Sequence, residues 1–334
     1  MATRRLSASR IKCLQECSQK YWAQYHLKVP EIGNTGSQKG STVHDLLEIL
    51  LKQKRHKKHV EEVVANKTCK NTPAIWKLLR KIAARYHVDE ESELKTMDKF
   101  ILVALNNEFY GPENTKTTEV EKVFEIKVEE QDKNYYIKGF IDKIFIAEDK
   151  QGLFVRIRDY KSSKAKFGKE ELLENIQSRI YQLAIKKLYP DISRIEFDFL
   201  FLKFPKEPIQ KVETLGDQEL SGFEYFLTFV QEQADNFEEK NAKDNLAVFD
   251  KERAWLCGKE GLKKDGSKAW ICSFRKPLEY YILLDKEGQI VQSAFYEKEL
   301  KPKNGQTVQK KFYTGCPYYF NDSGQRRKLQ FAIE

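Results

Sequence analysis

The sequence predicts an α/β protein: a mixed sheet led by an antiparallel meander and flanked by helices. Three observations predict it. Apolar residues recur at helical spacing as far as Gly111-Pro112. From Thr117 the pattern turns to alternation, rich in β-branched and aromatic residues. A strongly amphipathic stretch then follows the alternating runs. A helical N-terminal region and a small C-terminal appendage complete the expectation, with divisions at 1–115, 116–245 and 246–334. The 334 residues suffice for a well-buried core.

In chain order, Ser7 or Ser9 caps a first helix carrying Ile11, Leu14 and Tyr21 at helical spacing. A Gly-Ser loop, Gly33 to Ser41, precedes a helix with Val43, Leu46, Leu47, Leu50 and Leu51 on its apolar side. The basic run Lys52–His59 reads as a solvated turn that complements the helix dipole. Helices near Ala74–Tyr86 and Glu91–Glu108 follow, and Gly111-Pro112 breaks the pattern. Val120–Val128, Tyr135–Ala147 and Leu153–Tyr160 read as strands. The polar turns Gln131–Asn134 and Glu148–Gly152 join them into the meander. The amphipathic helix Lys169–Tyr189, a strand Arg194–Lys203 and a helix from Glu219 to Glu239 close the core. The remainder mixes glycine, lysine and aromatic residues, with a hairpin through Tyr280–Leu284 and Ile290–Tyr296.

Lys and Arg number 59 against 50 Asp and Glu, a net charge of +9. That balance suits a polyanionic partner without naming one. No run approaches the roughly 18 apolar residues of a membrane span. Met1-Ala-Thr-Arg-Arg leads into a polar helix rather than an apolar signal core. The expectation is therefore a cytoplasmic protein away from the membrane. In that compartment the six cysteines read as buried thiols or metal ligands, not structural disulfides.

The chemistry concentrates in Gly139-Phe140-Ile141-Asp142-Lys143 and Arg158-Asp159-Tyr160-Lys161, the latter holding the chain's only Asp-x-Lys. Residues i and i+2 of a strand share a face, so Asp159 and Lys161 point the same way and Tyr160 points into the opposite layer. Asp142, on the preceding strand, reaches the same patch. Oxygen ligands of this kind suit Mg²⁺ or Mn²⁺ rather than Zn²⁺. Such a metal activates water against a phosphodiester, and a lysine beside it orients that water or steadies developing charge. A surface salt bridge of Asp159 with Lys161 is the competing explanation, worth only ~0–1 kcal/mol. Three more residues bear on the choice: His44 in Gly40-Ser41-Thr42-Val43-His44, and Gln177 with Tyr181, which share a helix face at i and i+4.

The ordered set Gly40…His44, Gly139…Asp142, Asp159…Lys161 and Gln177…Tyr181 resembles the RecB-like nucleases of the PD-(D/E)XK superfamily. CRISPR-associated RecB-like exonucleases share the pattern. The opening Leu6-Ser7-Ala8-Ser9-Arg10-Ile11, with Cys17 and Tyr21-Trp22, is similar to the start of that family, and the likeness covers about residues 5–205. The resemblance implies a restriction-endonuclease-like core and a metal-dependent DNA exonuclease working on ends or single strands in repair, recombination or processing. Its rivals are an endonuclease and a non-catalytic nucleic-acid-binding protein on the same fold. The resemblance makes His44, Asp142, Asp159 and the Tyr160 carbonyl the metal ligands. Lys161 becomes the catalytic lysine, and Gln177 and Tyr181 the organising pair. Glu121 falls where relatives often carry a strand carboxylate.

Many such relatives also hold an iron–sulfur cluster through one early cysteine and three clustered late ones. Cys17 matches the early position, and Cys257, Cys272 and Cys316 supply three more. Those late cysteines lie 15 and 44 residues apart and no Cys-x-x-Cys occurs. A [4Fe–4S] cluster, a zinc site and plain buried thiols therefore all stay open. Around them, Trp255, Lys263, Lys264, Lys268, Trp270 and Arg275 interleave cations with aromatics, which suits phosphate contact and base stacking by a DNA single strand or an ordinary solubilised loop.

Overall fold

The computed structural model describes residues 4–31, 33–53, 56–258, 261–262, 264, 266 and 269–318. The first helices are α1 (Ala8–Glu16), α2 (Ser18–Tyr21), α3 (Thr35–Lys52), α4 (Lys57–Asn66), α5 (Pro73–Arg85) and α6 (Glu91–Leu105). Strands β1 (Thr115–Glu129), β2 (Asn134–Asp149) and β3 (Gly152–Lys161) follow, then α7 (Lys169–Leu173) and α8 (Ile176–Leu188). Next come β4 (Arg194–Phe201), β5 (Ile209–Val212) and α9 (Asp217–Asp235). The last strands are β6 (Leu278–Leu284), β7 (Ile290–Ala294) and β8 (Thr307–Tyr313).

Two compact units form: Ala2–Ala8 with Gly33–Gln231, and Ser9–Ile32 with Glu232–Glu334. The division at 115/116 thus falls inside the first unit, where helices α3–α6 and the sheet share one core. Ser9–Ile32 joins the C-terminal stretch instead.

In the first unit the sheet order is β1-β2-β3-β4-β5. The meander β1–β2–β3 is antiparallel, β4 runs parallel to β3, and β5 returns antiparallel to β4. The α7–α8 segment supplies the crossover that a parallel neighbour requires. The mixed sheet with a leading meander matches the α/β expectation. Tyr160, Leu200 and Leu202 turn into a core built by Val43, Leu46, Leu47, Leu79, Ile101 and their helical neighbours. A buried fork locks the parallel pair: Arg158 Nε and Nη2 donate to Asp198 Oδ1 and Oδ2 at 2.7 and 2.9 Å, between register partners of β3 and β4.

Local chemistry moves three boundaries. Helix α3 begins at Thr35, not after a loop ending at Ser41, because Asn34 caps it by accepting from the Ser37 N–H at 2.9 Å. Gly40 thereby becomes a buried mid-helix residue, and a Cβ there would lie 2.6 Å from Ser162 Oγ. The glycine buys close approach of α3 to the end of β3. The single helix expected over 169–189 is two, since Asn175 starts α8 by accepting from the Ser178 N–H at 3.0 Å. The last core helix ends at Asp235, not Glu239.

In the second unit β7, β6 and β8 form an antiparallel sheet. The expected hairpin is β6–β7. Strand β8 escaped the sequence reading because Thr307-Val308-Gln309-Lys310-Lys311 presents mostly polar, exposed residues. Edge strand β5 escaped for the same reason.

Candidate active site

Register creates the site. Lys143 pairs with Arg158 across β2 and β3, which sets Asp142 beside Asp159. Asp142 Oδ2 accepts the Tyr160 N–H at 3.0 Å and lies 3.4 Å from His44 Nδ1. His44 Nε2 lies 3.1 Å from the Tyr160 carbonyl oxygen. A carbonyl only accepts, so Nε2 carries a proton there. Nδ1 of a neutral ring then faces the Asp142 oxygen lone pair to lone pair, an arrangement that a proton or a cation must reconcile.

On the other side of Asp142, the register places Glu121 opposite it on β1. Glu121 has φ +49°, a left-handed conformation that a non-glycine strand residue adopts only under constraint. His44, Glu121 and Asp142 each offer a ligand atom, and these atoms lie within 4.8 Å of one another. Burial, then the Asp142 charge, pushes the Glu121 carboxyl up to about 7. Burial, then the Asp159 charge, pushes Asp142 up to about 6. In both shifts burial is the larger cause and a neighbouring carboxylate the second.

Asp159 and Lys161 share a face, as the strand period requires. Lys161 Nζ lies 2.6 Å from Asp159 Oδ2 and donates to Gln177 Oε1 at 2.6 Å. Gln177 Nε2 spends its two hydrogens on Asp159 Oδ1 at 2.8 Å and the Tyr181 hydroxyl oxygen at 2.7 Å. The Tyr181 hydroxyl donates to the Phe140 carbonyl at 2.5 Å. Tyr181 is backed edge-on by Phe124, and Gly139 leaves room for that ring: a Cβ there would lie 2.5 Å from Phe124 Cζ. Burial pushes the Tyr181 phenol above its ordinary range, so it stays a neutral donor.

The donor set fits a hard divalent cation. Three carboxylates and one imidazole converge, and buried Asp159 Oδ2 touches the Lys161 ammonium yet has no aligned hydrogen bond. Among side-chain ligands the compact trio differs in one member from the set expected from sequence. Glu121 is in it, while Asp159 is turned toward Lys161 and Gln177.

Two groups behind the site escaped sequence reasoning. Lys143 is fully buried, hydrogen bonded to the Phe109 carbonyl and, at 3.0 Å, to the Tyr160 hydroxyl. Arg158 and Asp198 form the fork described above. Their signal was present: each is a charged residue at an inward position of an apolar strand.

In the other unit, Cys17, Cys257, Cys272 and Cys316 gather. The Cys17 charge bears on all three late thiols, and that of Cys257 on Cys272 and Cys316. Burial pushes Cys272 up to about 11, partly opposed by the Phe274 N–H aimed at its sulfur. Burial likewise raises Cys316, opposed by the Tyr318 N–H. Backbone bonds tie the loops together, Cys272 N to Cys257 O at 3.2 Å and Cys316 N to Arg275 O at 3.1 Å. Arg275 Nη1 donates to the Cys257 and Gly258 carbonyls, both at 2.9 Å, so its guanidinium braces these loops. The Cys17 charge also bears on Cys13, whose thiol contacts Gln24 Oε1, and Cys69 is a core thiol. Trp255 and Trp270 are exposed, as is Lys264, whereas Lys263 and Lys268 lie outside the described residues.

Crowded carboxylates on adjacent strands, with an anchored ammonium beside them, are a set that metal-assisted phosphodiester hydrolysis can use. The chain belongs to the PD-(D/E)XK nuclease superfamily, whose family model matches residues 5–257. It is thus a hydrolytic nuclease with a nucleic-acid substrate, in a superfamily that is generally dependent on divalent metals. A solved structure from Eubacterium rectale, provisionally named an exonuclease, is similar over 70% of this chain and 82% of that one, with 11% identity and a TM-score of 0.43. No curated protein matches the chain. Among the described residues no helix is long and apolar enough to cross a membrane.

Proposed function

We propose that this nuclease is a RecB-like, Mg²⁺- or Mn²⁺-dependent DNA exonuclease, acting at ends or in single strands during repair, recombination or processing. The observation that carries the reading is the lock of Lys161 and Asp159 by Gln177, beside the His44–Glu121–Asp142 group. His44, Asp142, Asp159 and the Tyr160 carbonyl, joined by Glu121, would hold the metal. Bound there, it would polarise the scissile phosphate and acidify a water. The chain's own groups do the positioning. Lys161, steadied by Asp159 and Gln177, presents one ammonium to the charge that develops on phosphate oxygens. Gln177 and Tyr181 fix that ammonium relative to β2 through the Phe140 carbonyl.

Labelled single- and double-stranded DNA with Mn²⁺ tests the reading. Release of label as mononucleotides from an end is expected of the wild type, and internal cuts would make it an endonuclease. Loss of cleavage in Lys161→Ala and Asp159→Ala is expected. Cleavage that survives both substitutions would overturn the site, and a wild type that binds without cutting would be a binding protein.

For the cysteines we propose a [4Fe–4S] cluster on Cys17, Cys257, Cys272 and Cys316. Supporting it are the mutual proximity of the thiols and the N–H groups aimed at two sulfurs, a feature that steadies cluster thiolates. One tetrahedral zinc with Zn–S bonds of about 2.3 Å would draw sulfurs to ~3.8 Å apart. No three cysteines among the described residues lie within 4.8 Å of one another. Iron and acid-labile sulfide in anaerobically purified protein, lost in Cys272→Ser, test the assignment. Colourless, iron-free protein would overturn it.

A further inference from the structure

Three lysines stand on three segments whose backbones meet at the Lys161–Ser162 end of β3, and none has a role in the site described so far. Lys39 lies on α3, next to Gly40, the residue that brings α3 against Ser162. Lys164 lies in the connection that leaves β3, three residues past Lys161. Lys203 follows the end of β4, which is parallel to β3 in a register that pairs Lys161 with Phe201. The bond from Leu202 N to Lys161 O, at 2.9 Å, extends that pairing. The ammonium of Lys203 sits 5.7 Å from the Phe100 ring centre. Burial, then the charges of Lys164 and Lys39, lowers its proton affinity, so each of those two cations lies close enough to bear on Lys203.

Most other lysines around this sheet have carboxylate partners: Lys116 with Glu148, Lys122 with Glu119, Lys127 with Glu129, Lys133 and Lys187 with Glu224. In the new group only Lys39 has one, Glu93. Neither Lys164 nor Lys203 has a carboxylate within ion-pairing distance among the described residues. The connection bearing Lys164 is also built rather than loose. Phe167 packs edge-on against Phe199 and Phe201, at 4.9 and 5.5 Å. Gln210 clamps the Phe167 backbone with two bonds of 3.2 and 2.9 Å. Ser163 Oγ closes a turn on the Ala165 carbonyl at 2.7 Å. A rigid platform that gathers like charge has a cost, which an anion repays.

We propose that Lys39, Lys164 and Lys203 form a phosphate-binding subsite for the nucleic-acid strand, holding a backbone phosphodiester next to the scissile one. The proposal rests on the nuclease reading and adds how the strand is gripped. Its contacts go to phosphate, so it tightens binding for every sequence alike. It acts as a positioning device: Lys161 faces the reacting phosphate, and these three hold its neighbour in register.

The test is salt-dependent binding of fluorescent oligothymidylate to the uncut Asp159→Asn protein, followed by anisotropy. Each lysine that neutralises a phosphate of a single strand contributes about 0.7 to the slope of log affinity against log salt. Adding Lys164→Gln and Lys203→Gln to that background is expected to lower the slope by ~1.4. The control pair Lys127→Gln and Lys150→Gln, on remote turns and edges, is expected to leave it unchanged. In the otherwise wild-type protein the Lys164→Gln/Lys203→Gln pair is expected to raise KM while leaving kcat near its original value. An unchanged slope in that pair would overturn the subsite and leave the nuclease reading standing. Failure of the Asp159→Asn protein to bind at all, at low salt, would overturn both.

Discussion

Two ionic clusters occupy neighbouring positions of β3 and differ in how their charge is balanced. Arg158 and Asp198 are buried as one cation and one anion, joined by two bonds of 2.7 and 2.9 Å, with the guanidinium also capped by the Asn107 carbonyl. One position along, Asp159 faces Asp142, and Asp142 faces Glu121: three carboxylates against the single ammonium of Lys161. The first cluster is complete in itself and holds two parallel strands. The second is short of positive charge and leaves buried Asp159 Oδ2 without an aligned hydrogen bond. Burial is common to both, so burial does not mark the reactive face. On the proposed function a deficit of counter-charge does, because it leaves something for a cation and a phosphate to complete.

The comparison is broken most directly by activity. Lys161→Ala is expected to cut the cleavage rate by about 10³-fold, the order found when one preorganised charge-stabilising donor is removed. Its unfolding midpoint should stay close to that of the wild type, since Lys161 is partly exposed. Equal losses of rate and stability would mean that Lys161 belongs to the scaffold. On the balanced cluster the expectation reverses. Asp198→Asn strands a buried guanidinium and should destabilise by ~3–5 kcal/mol in urea unfolding. The protein that remains folded should keep its rate per active molecule.

The metal provides the next test, with a pH signature. Asp142 and Glu121 sit at about 6 and about 7, above their ordinary values of 3.8 and 4.5. The metal-free native state therefore binds more protons than the unfolded state between those limits. Stability contributed by these two groups is full below pH 4 and falls as pH rises toward 7, at up to ~1.4 kcal/mol per pH unit for each proton. Mn²⁺ at about a hundred times its Kd should return about 2.7 kcal/mol at neutral pH. Thermal melts at pH 5 and pH 7, with and without Mn²⁺, check both signs. Asp142→Asn should abolish the metal effect and raise the stability of the metal-free protein at pH 7. A metal effect that persists in Asp142→Asn would move the binding site elsewhere.

These clusters also explain what the sequence disclosed and what it hid. Asp142, Asp159, Lys161, Gln177 and Tyr181 were legible because spacing on a strand or helix decides which side chains share a face. The structure joins Asp159, Lys161, Gln177 and Tyr181 through consecutive contacts, and the β2–β3 register sets Asp142 beside Asp159. Glu121 was only loosely legible: its place depends on the β1–β2 register and on a left-handed backbone, neither of which a side-chain pattern encodes. Asn34 and Asn175 moved helix boundaries through single capping bonds, the first inside a Gly-Ser stretch that read as loop and the second inside a stretch whose composition gave no break. The lysines near Lys161 were hidden for a different reason. In a chain with 59 basic residues, these three look like any others until a parallel strand and a glycine contact bring their segments together.

Lys143 gives the smallest effect and the sharpest test of charge balance. It is fully buried against the rings of Phe109, Phe145 and Tyr160, its ammonium position 4.2 to 5.6 Å from their centres. Burial, then the Arg158 charge, holds its proton affinity well below that of an ordinary lysine, with Asp198 in partial opposition. A native state that disfavours the charged lysine binds fewer protons than the unfolded chain. Its stability therefore rises with pH over the interval between the native value and the ordinary one near 10.4. Lys143→Met removes that titration. It also leaves the Phe109 carbonyl and Tyr160 hydroxyl short of a partner, at about 1–3 kcal/mol, offset by burying a thioether that never needs to lose a proton. The net loss at pH 7 should be about 1 kcal/mol, and the gap between wild type and Lys143→Met should widen from pH 7 to pH 9 in urea unfolding. A constant gap of the size expected for Asp198→Asn would make Lys143 a charged member of the Arg158 cluster. That cluster would then carry surplus positive charge, and balance would no longer separate the scaffold from the reactive face.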